Sequence, residues 1–223
     1  MEKIVSIFVE GPTDVEIYRT FLRECLNFYV DNKKNKKEKT TKRFLQVKID
    51  IESLFPYENV RYLFKNNTVV LIQAKLGKDK LKNFAENVLE SFEDIKRKID
   101  EVQGSLKIEL KSFIIFDKKI PESLRGKEKF VPILTILAQP NLPEEIILNL
   151  VKHCPDICQR FEKLTIYWKS LKSEGDEFKQ KVNLLKSLIG ERCHAHLLEE
   201  LIKFTQGCDL VKSLLPQAVL EIL

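Results

Sequence analysis

Glycine, proline and cysteine are scarce in this sequence of 223 residues, which contains seven Gly, eight Pro and five Cys. Such low numbers exclude collagen-like, low-complexity and disulfide-rich chains. No hydrophobic run approaches the roughly 18 residues that a membrane-spanning helix needs, and the N-terminal residues lack the layout of a signal peptide. We therefore expect a cytoplasmic protein that does not enter a membrane and keeps its cysteines reduced.

Hydrophobic residues make up 43% of the chain, which is enough to offset the entropy lost when a core forms. The net charge of +5 is small, but part of it is concentrated in one segment that contains a single acidic residue, Glu38. The basic residues of this segment are Lys33, Lys34, Lys36, Lys37, Lys39, Lys42, Arg43 and Lys48. The segment is interpreted as a solvated surface loop or, alternatively, as an arm that contacts nucleic-acid phosphates.

Hydrophobic patterning predicts an α/β fold with an open, mainly parallel sheet flanked by helices over residues 1–140, followed by an all-helical C-terminal extension over 141–223. The predicted strands cover 4–9, 44–49, 68–72, 112–117 and 130–137, and the last is assigned to a sheet edge because of Pro132. The predicted helices cover 15–26, a long charged segment from Lys78 to Gly104, and then 143–151, 155–171, 176–189, 192–206 and 208–222.

Acidic residues follow two of the buried strands. Glu10 and Asp14 lie in the loop and helix start after the first strand, and Asp117 ends the strand over 112–117. Ligands of open α/β sheets bind at the carboxyl ends of the strands, and Mg²⁺ favours one or two carboxylates completed by water and phosphate oxygens. The pattern indicates a magnesium site. The alternative is a helix cap at Asp14 and ordinary loop acids at the other two positions.

The segment Ile7-Phe8-Val9-Glu10-Gly11-Pro12-Thr13-Asp14-Val15 resembles the first motif of the Toprim domain. Toprim domains occur in topoisomerases, bacterial primases, recombination proteins and OLD-type nucleases, and the small stand-alone DUF3226 and DUF4435 groups look most similar. Residues 112–119 resemble the second motif, a strand that ends in Asp-x-Asp, and residues 139–147 resemble a later segment of the stand-alone proteins. The resemblance covers about residues 1–150.

The resemblance implies a nucleic-acid-associated protein, with Glu10 as a catalytic acid or base and with Asp117 and Asp14 as Mg²⁺ ligands. It implies Mg²⁺-dependent phosphodiester cleavage by a nuclease. One departure matters: Lys119 stands where Toprim domains have the second Asp. That change favours a non-catalytic binding or scaffold protein, unless another acid completes the site. Asp14 is the first candidate for this acid and Glu122 is the second.

Four lysines extend the predicted basic surface beyond the loop: Lys75, Lys78, Lys118 and Lys119. Lys75 and Lys78 flank a turn at Gly77 between a strand and a helix. Backbone N–H groups of this turn could also donate hydrogen bonds to a phosphate. The turn lacks the glycine spacing of a P-loop and is interpreted as a plain connection. The lysines are assigned to phosphate contacts with DNA or RNA.

Histidine and cysteine cluster in two short C-terminal segments. Cys154, Cys158, Cys193 and His196 have the ligand types of a zinc site, but their spacing is not a standard one. The favoured interpretation is packing on apolar helix faces, and the same holds for Cys25 and Cys208. The apolar tail, 210–223, is expected to pack on the chain's own helices, with a homodimer through the C-terminal helices as the alternative.

Overall fold

The computed structural model describes residues 2–30, 60–90, 94, 97, 100–101, 108–127, 129–130, 134–169, 177–190 and 194–223. The predicted basic loop, the predicted strand over 44–49 and Pro132 lie outside these residues.

The strands of the described residues are β1 (Glu2–Val9), β2 (Tyr29–Val30), β3 (Arg61–Lys65), β4 (Thr68–Ala74), β5 (Ile108–Asp117), β6 (Lys129–Phe130) and β7 (Leu134–Gln139). The helices are α1 (Pro12–Glu24), α2 (Lys78–Glu90), α3 (Pro143–Lys152), α4 (Pro155–Lys169), α5 (Glu177–Ile189), α6 (His194–Thr205), α7 (Cys208–Leu214) and α8 (Gln217–Leu220). A short 3₁₀ helix covers Glu122–Leu124.

One mixed sheet forms the centre of the molecule, with the strand order β2-β3-β4-β1-β5-β7-β6. The four central strands, β4, β1, β5 and β7, run parallel, and the outer pairs are antiparallel. Helices cover both faces of the sheet, as expected for parallel strands rich in Val, Ile and Phe. The predicted α/β fold, with a mainly parallel sheet and C-terminal helices, is therefore confirmed.

Alternate residues of β1 enter different cores because successive side chains of a strand point to opposite faces. Val5 and Ile7 pack in a core with α1 and the C-terminal helices. Ile4 and Phe8 pack in a second core with α2. The central position of β1 thus follows from its sequence, which is apolar on both faces.

The C-terminal helices share the first core with α1 and the sheet, through buried residues such as Leu150, Leu201 and Val211. Apolar residues of the tail pack there too, which confirms that the tail contacts this chain's own helices. The prediction of one helix over 208–222 is wrong, because the chain is extended at Leu215 and α8 starts only after Pro216. Proline lacks the N–H that a continuous helix would need there.

Strand β3 is not among the predicted strands, because residues 52–66 show no clear pattern in the sequence. In the structure β3 pairs antiparallel with β4, and Leu63 is its fully buried residue. The predicted strand over 130–137 is observed in two parts, β6 and β7. Strand β7 is not at the edge of the sheet, because β6 pairs with its outer side.

The prediction of reduced cysteines is wrong for Cys25 and Cys208, which form a disulfide across 183 positions of the chain. The bond joins the residue that follows α1 to the first residue of α7. Helix α1 packs against α7 and brings the two cysteines together, so the pairing depends on tertiary structure. Cys154 and Cys158 are free thiols.

No helix in the described part of the chain is both long enough and apolar enough to cross a membrane.

Candidate acidic site at the carboxyl ends of β1 and β5

The chain leaves β1 and β5 in opposite directions along the sheet. After β1 it passes through α1 and the antiparallel strands to reach β4 on one side, and after β5 it continues to β7 on the other side. Neighbouring strands whose connections diverge leave a crevice at their carboxyl ends, where ligands of α/β proteins bind. Glu10 and Asp117 lie at this crevice, because they end the first and fifth strands.

Glu10 and Asp117 are in direct contact. The backbone N–H of Asp117 donates a hydrogen bond of 2.9 Å to Oε1 of Glu10. Burial raises the pKa of Glu10, and the hydrogen bond from Asp117 and the charge of Lys78 partly oppose this increase. The predicted convergence of two acids that are 107 positions apart is therefore observed.

Asp117 is a carboxyl group with a strongly perturbed pKa. Burial, and then the charges of Glu10 and Glu144, raise its pKa to about 6, although Lys78 and Lys179 oppose the increase. Burial beside other carboxylates produces this pattern. Such groups are frequent at functional sites.

Asp14 belongs to the first turn of α1 and is buried. Its Oδ2 accepts a hydrogen bond of 2.9 Å from the N–H of Gly11, which caps the helix as the alternative interpretation expected. Burial, and then the charge of Asp117, raise the pKa of Asp14 well above its usual range. A side chain at Gly11 would place its Cβ 3.3 Å from the Asp14 carboxylate, so glycine permits this close approach.

Glu144 is a fourth acid of the site, and the sequence reasoning did not select it. It lies in the first turn of α3 and is only 8% exposed. Its charge acts on both Asp14 and Asp117 and raises the pKa of each. The sequence signal was the pair Glu144-Glu145 after Pro143, which also fits an ordinary helix start.

Two consecutive hydrogen bonds connect α1 to the segment between β7 and α3. The hydroxyl of Tyr18 donates a 3.0 Å hydrogen bond to Oε1 of Gln139, and Nε2 of Gln139 donates one of 2.8 Å to the carbonyl of Asn141. Burial raises the pKa of Tyr18 well above its usual range, so the phenol stays a neutral donor. These two hydrogen bonds fix the segment that leads to Glu144.

The lysines assigned to a basic surface have different environments. Lys78 is exposed and its charge acts on both Glu10 and Asp117. Lys75 is partly buried over the ring of Phe84, 3.8 Å from its centroid, and burial lowers its pKa to about 8. Lys118 pairs with Glu145 at 3.1 Å, and the side chain of Lys119 is exposed.

The second compensating acid that the sequence suggested, Glu122, does not lie at the site. Its side chain is 88% exposed and pairs with Arg125 at 3.8 Å. None of the charges that act on Glu10, Asp14 or Asp117 is that of Glu122. Besides Glu10, the acid whose charge raises the pKa of Asp117 is Glu144, from a later segment of the chain.

The zinc alternative involves Cys193, which lies outside the described residues. Of its three other residues, Cys154 is buried, Cys158 contacts Glu162 at 3.5 Å, and the side chain of His196 is exposed. Within the described ranges, no three His, Cys, Asp or Glu residues form a ready-made metal cage.

The acids nevertheless fit Mg²⁺, because this ion is commonly held by one or two carboxylates and keeps several waters. Oε1 of Glu10 accepts the hydrogen bond from the Asp117 N–H. The other oxygen of Glu10 and the carboxylate of Asp117 remain as metal ligands. Burial is the largest cause of the raised pKa values of both groups, and the charge of Lys78 opposes the increase in each. A divalent cation would favour the ionised form of both carboxylates.

Comparison with known proteins supports the fold alone. No family model matches the chain, and no curated protein matches it. The crystal structure of a hypothetical protein from Pyrococcus horikoshii OT3 is similar, with a TM-score of 0.60 and 16% sequence identity, over 96% of this chain and 99% of that one. The similarity therefore extends through the sheet and the C-terminal helices.

Proposed function

We propose that the protein is a nucleic-acid-associated, Toprim-like enzyme that cleaves phosphodiester bonds with Mg²⁺. The observation that carries the proposal is the hydrogen-bonded pair of Glu10 and Asp117 at the crevice between two diverging parallel strands. The raised pKa of Asp117, about 6, supports it, since burial and neighbouring carboxylates often shift pKa values in this way at functional sites.

In this proposal Glu10 acts as the general acid or base at the scissile phosphate. Its raised pKa brings its proton affinity closer to neutral pH, where proton transfer is most efficient. Asp117 and Asp14 hold Mg²⁺, which when bound stabilises the charge that develops on the phosphate oxygens. Asp14 is buried and Asp117 is half-buried, so water screens this charge less than it would on an open surface.

Basic residues contact the nucleic-acid backbone in this proposal. Lys78 is best placed, because it is exposed and close enough to influence both Glu10 and Asp117. Lys119 is also exposed, and the basic loop of 33–48 would add phosphate contacts that position the strand without reading its sequence. Lys75 has a smaller part, because its ammonium is held over the Phe84 ring.

A non-catalytic role on the same fold is the second candidate. Two observations favour it: Lys119 replaces an acid of the resembled motif, and the described residues contain no preformed metal cage. Such a protein would bind nucleic acid as a scaffold, alone or as a homodimer through its C-terminal helices. It would bind without cleavage in the presence of any divalent metal.

The test is an assay of the purified protein on single- and double-stranded DNA and RNA with Mg²⁺, Mn²⁺ or EDTA. We expect cleavage of at least one substrate with a divalent metal and none with EDTA, because the carboxylates alone cannot stabilise the transition state. Binding without cleavage in every combination would support the scaffold. Cleavage that persists in EDTA would contradict the metal-dependent mechanism.

A further inference from the structure

We propose that Leu76, in the turn between β4 and α2, contacts an unpaired base of a single-stranded nucleic acid beside the crevice. The inference rests on the proposed function, which supplies the nucleic acid. It gives a binding role to a turn that the sequence presents as a plain connection, and it favours single strands, whose bases are free to be contacted.

The position of Leu76 is fixed by backbone hydrogen bonds to the end of β1. The N–H of Lys75 donates a hydrogen bond of 2.9 Å to the carbonyl of Val9, and the N–H of Gly77 donates one of 2.8 Å to the carbonyl of Glu10. The residues on both sides of Leu76 are therefore bound to the segment that carries Glu10. A strand whose phosphate lies at Glu10 would pass close to this turn.

The first observation is the exposure of a large apolar side chain at this place. Leu76 is 63% exposed, whereas Leu81, in the first turns of α2, is fully buried. The ammonium of Lys75 lies over the Phe84 ring, and Lys78 is exposed. Charged residues are depleted in the centre of protein–protein interfaces. An apolar side chain between two lysines therefore fits a nucleic-acid strand better, because the strand presents apolar base faces next to anionic phosphates.

The second observation is the backbone conformation of Leu76. Its φ is +59°, a left-handed value that bulky residues rarely adopt. Among the described residues with a positive φ, glycines aside, Leu76 alone is apolar, and the others are Asn27, Asn66, Lys118 and Gln206.

A connecting role does not account for leucine in this conformation. Asn and Gly adopt a positive φ at lower cost, and the next residue of the turn is Gly77, with a φ of +123°. A turn that only joined β4 to α2 would be more stable with Asn or Gly at position 76. Residues held in such conformations cluster at binding and catalytic sites, and leucine is one of the residues that proteins place against bases.

The experiment measures binding of two single strands of equal length, oligothymidine and an abasic strand with the same phosphates and no bases. It is done in EDTA, where the proposed cleavage does not occur. The wild type should prefer oligothymidine. Leu76→Asn should bind oligothymidine about 10-fold more weakly, because it loses part of the burial of a leucine side chain, and should bind the abasic strand as the wild type does. Leu76→Met keeps an apolar side chain and should keep the preference.

Thermal unfolding distinguishes this role from a structural one. Leu76→Asn should unfold at the same or a higher temperature than the wild type, because Asn tolerates a positive φ. The control is Ile166→Asn, which removes another exposed apolar side chain, 72% exposed on α4. It should bind both strands as the wild type does.

The outcomes separate the inference from the proposed function. Equal weakening of both strands by Leu76→Asn, or a lower unfolding temperature, would mean that Leu76 has a structural role and would overturn the inference. Unchanged binding of oligothymidine by Leu76→Asn would overturn the inference and leave the proposed function intact. No binding of either strand by the wild type, in EDTA or with Mg²⁺, would overturn both.

Discussion

Replacing Glu10 with Gln should lower metal-dependent cleavage by about 100- to 10,000-fold, the range for loss of a positioned general acid or base. Glutamine has nearly the same shape, and its amide oxygen can still accept the 2.9 Å hydrogen bond from Asp117. It cannot gain or lose a proton at neutral pH. The change therefore removes the proposed chemistry and keeps the contact between β1 and β5.

The matched control for Glu10 is Glu16→Gln on α1. Glu16 pairs with Arg19 at 3.1 Å on the partly exposed surface of the helix. A surface pair of this kind contributes about 0–1 kcal/mol, so cleavage by Glu16→Gln should equal that of the wild type. Equal rates for wild type and Glu10→Gln, measured with Mg²⁺ on the same substrate, would remove Glu10 from the mechanism.

Loss of the disulfide is expected to reduce the free energy of unfolding by about 2–5 kcal/mol. The bond closes a loop spanning 183 positions, and long loops restrict the unfolded chain most in the entropic account of disulfides. It also joins the end of α1 to α7, so it holds the C-terminal helices against the helix that carries Asp14.

Chemical denaturation with and without a reductant measures this effect. The wild type should be less stable in reductant, and a variant with Cys25→Ser and Cys208→Ser should be equally unstable in both conditions. Cys158→Ser is the control, because Cys158 is a free thiol and should leave the response to reductant unchanged. A wild type whose stability does not depend on reductant would show that these cysteines are not paired in solution.

The meeting of Glu10 and Asp117 was predictable from the sequence because each residue directly follows a buried strand. Parallel strands place such residues at one edge of a sheet, and this rule holds regardless of sequence separation. The position of β1 between β4 and β5 was not specified by the pattern, but its hydrophobic residues on both faces already excluded a solvent-exposed strand.

Glu144 and the disulfide were not predictable by the same reasoning. Both depend on how the C-terminal helices pack on α1, and hydrophobic periodicity gives the existence of those helices but not their contacts. Glu144 looks like any acid in a first helical turn, and only the tertiary structure shows that its charge acts on Asp117. Cys25 and Cys208 look like small apolar residues until α7 is placed beside α1.

The raised pKa of Asp117 has a consequence for stability that metal should reverse. Its pKa is about 3.9 in an unfolded chain and about 6 in the folded protein. The folded state therefore binds the proton more tightly, so this group stabilises the metal-free protein below pH 4. That contribution decreases as the pH rises through 6. A bound cation favours the ionised form and should offset the loss at neutral pH.

Titration of the Asp117 side-chain carboxyl by carbon-13 NMR, with and without saturating Mg²⁺, tests the convergence of these acids on a cation site most directly. We expect a pKa of about 6 without metal and a clear decrease when Mg²⁺ is added, because the ion would replace the proton. An ordinary value near 4 in EDTA, unchanged by Mg²⁺, would show that Asp117 neither shares a crowded acidic crevice nor binds the metal, and would contradict the proposed site.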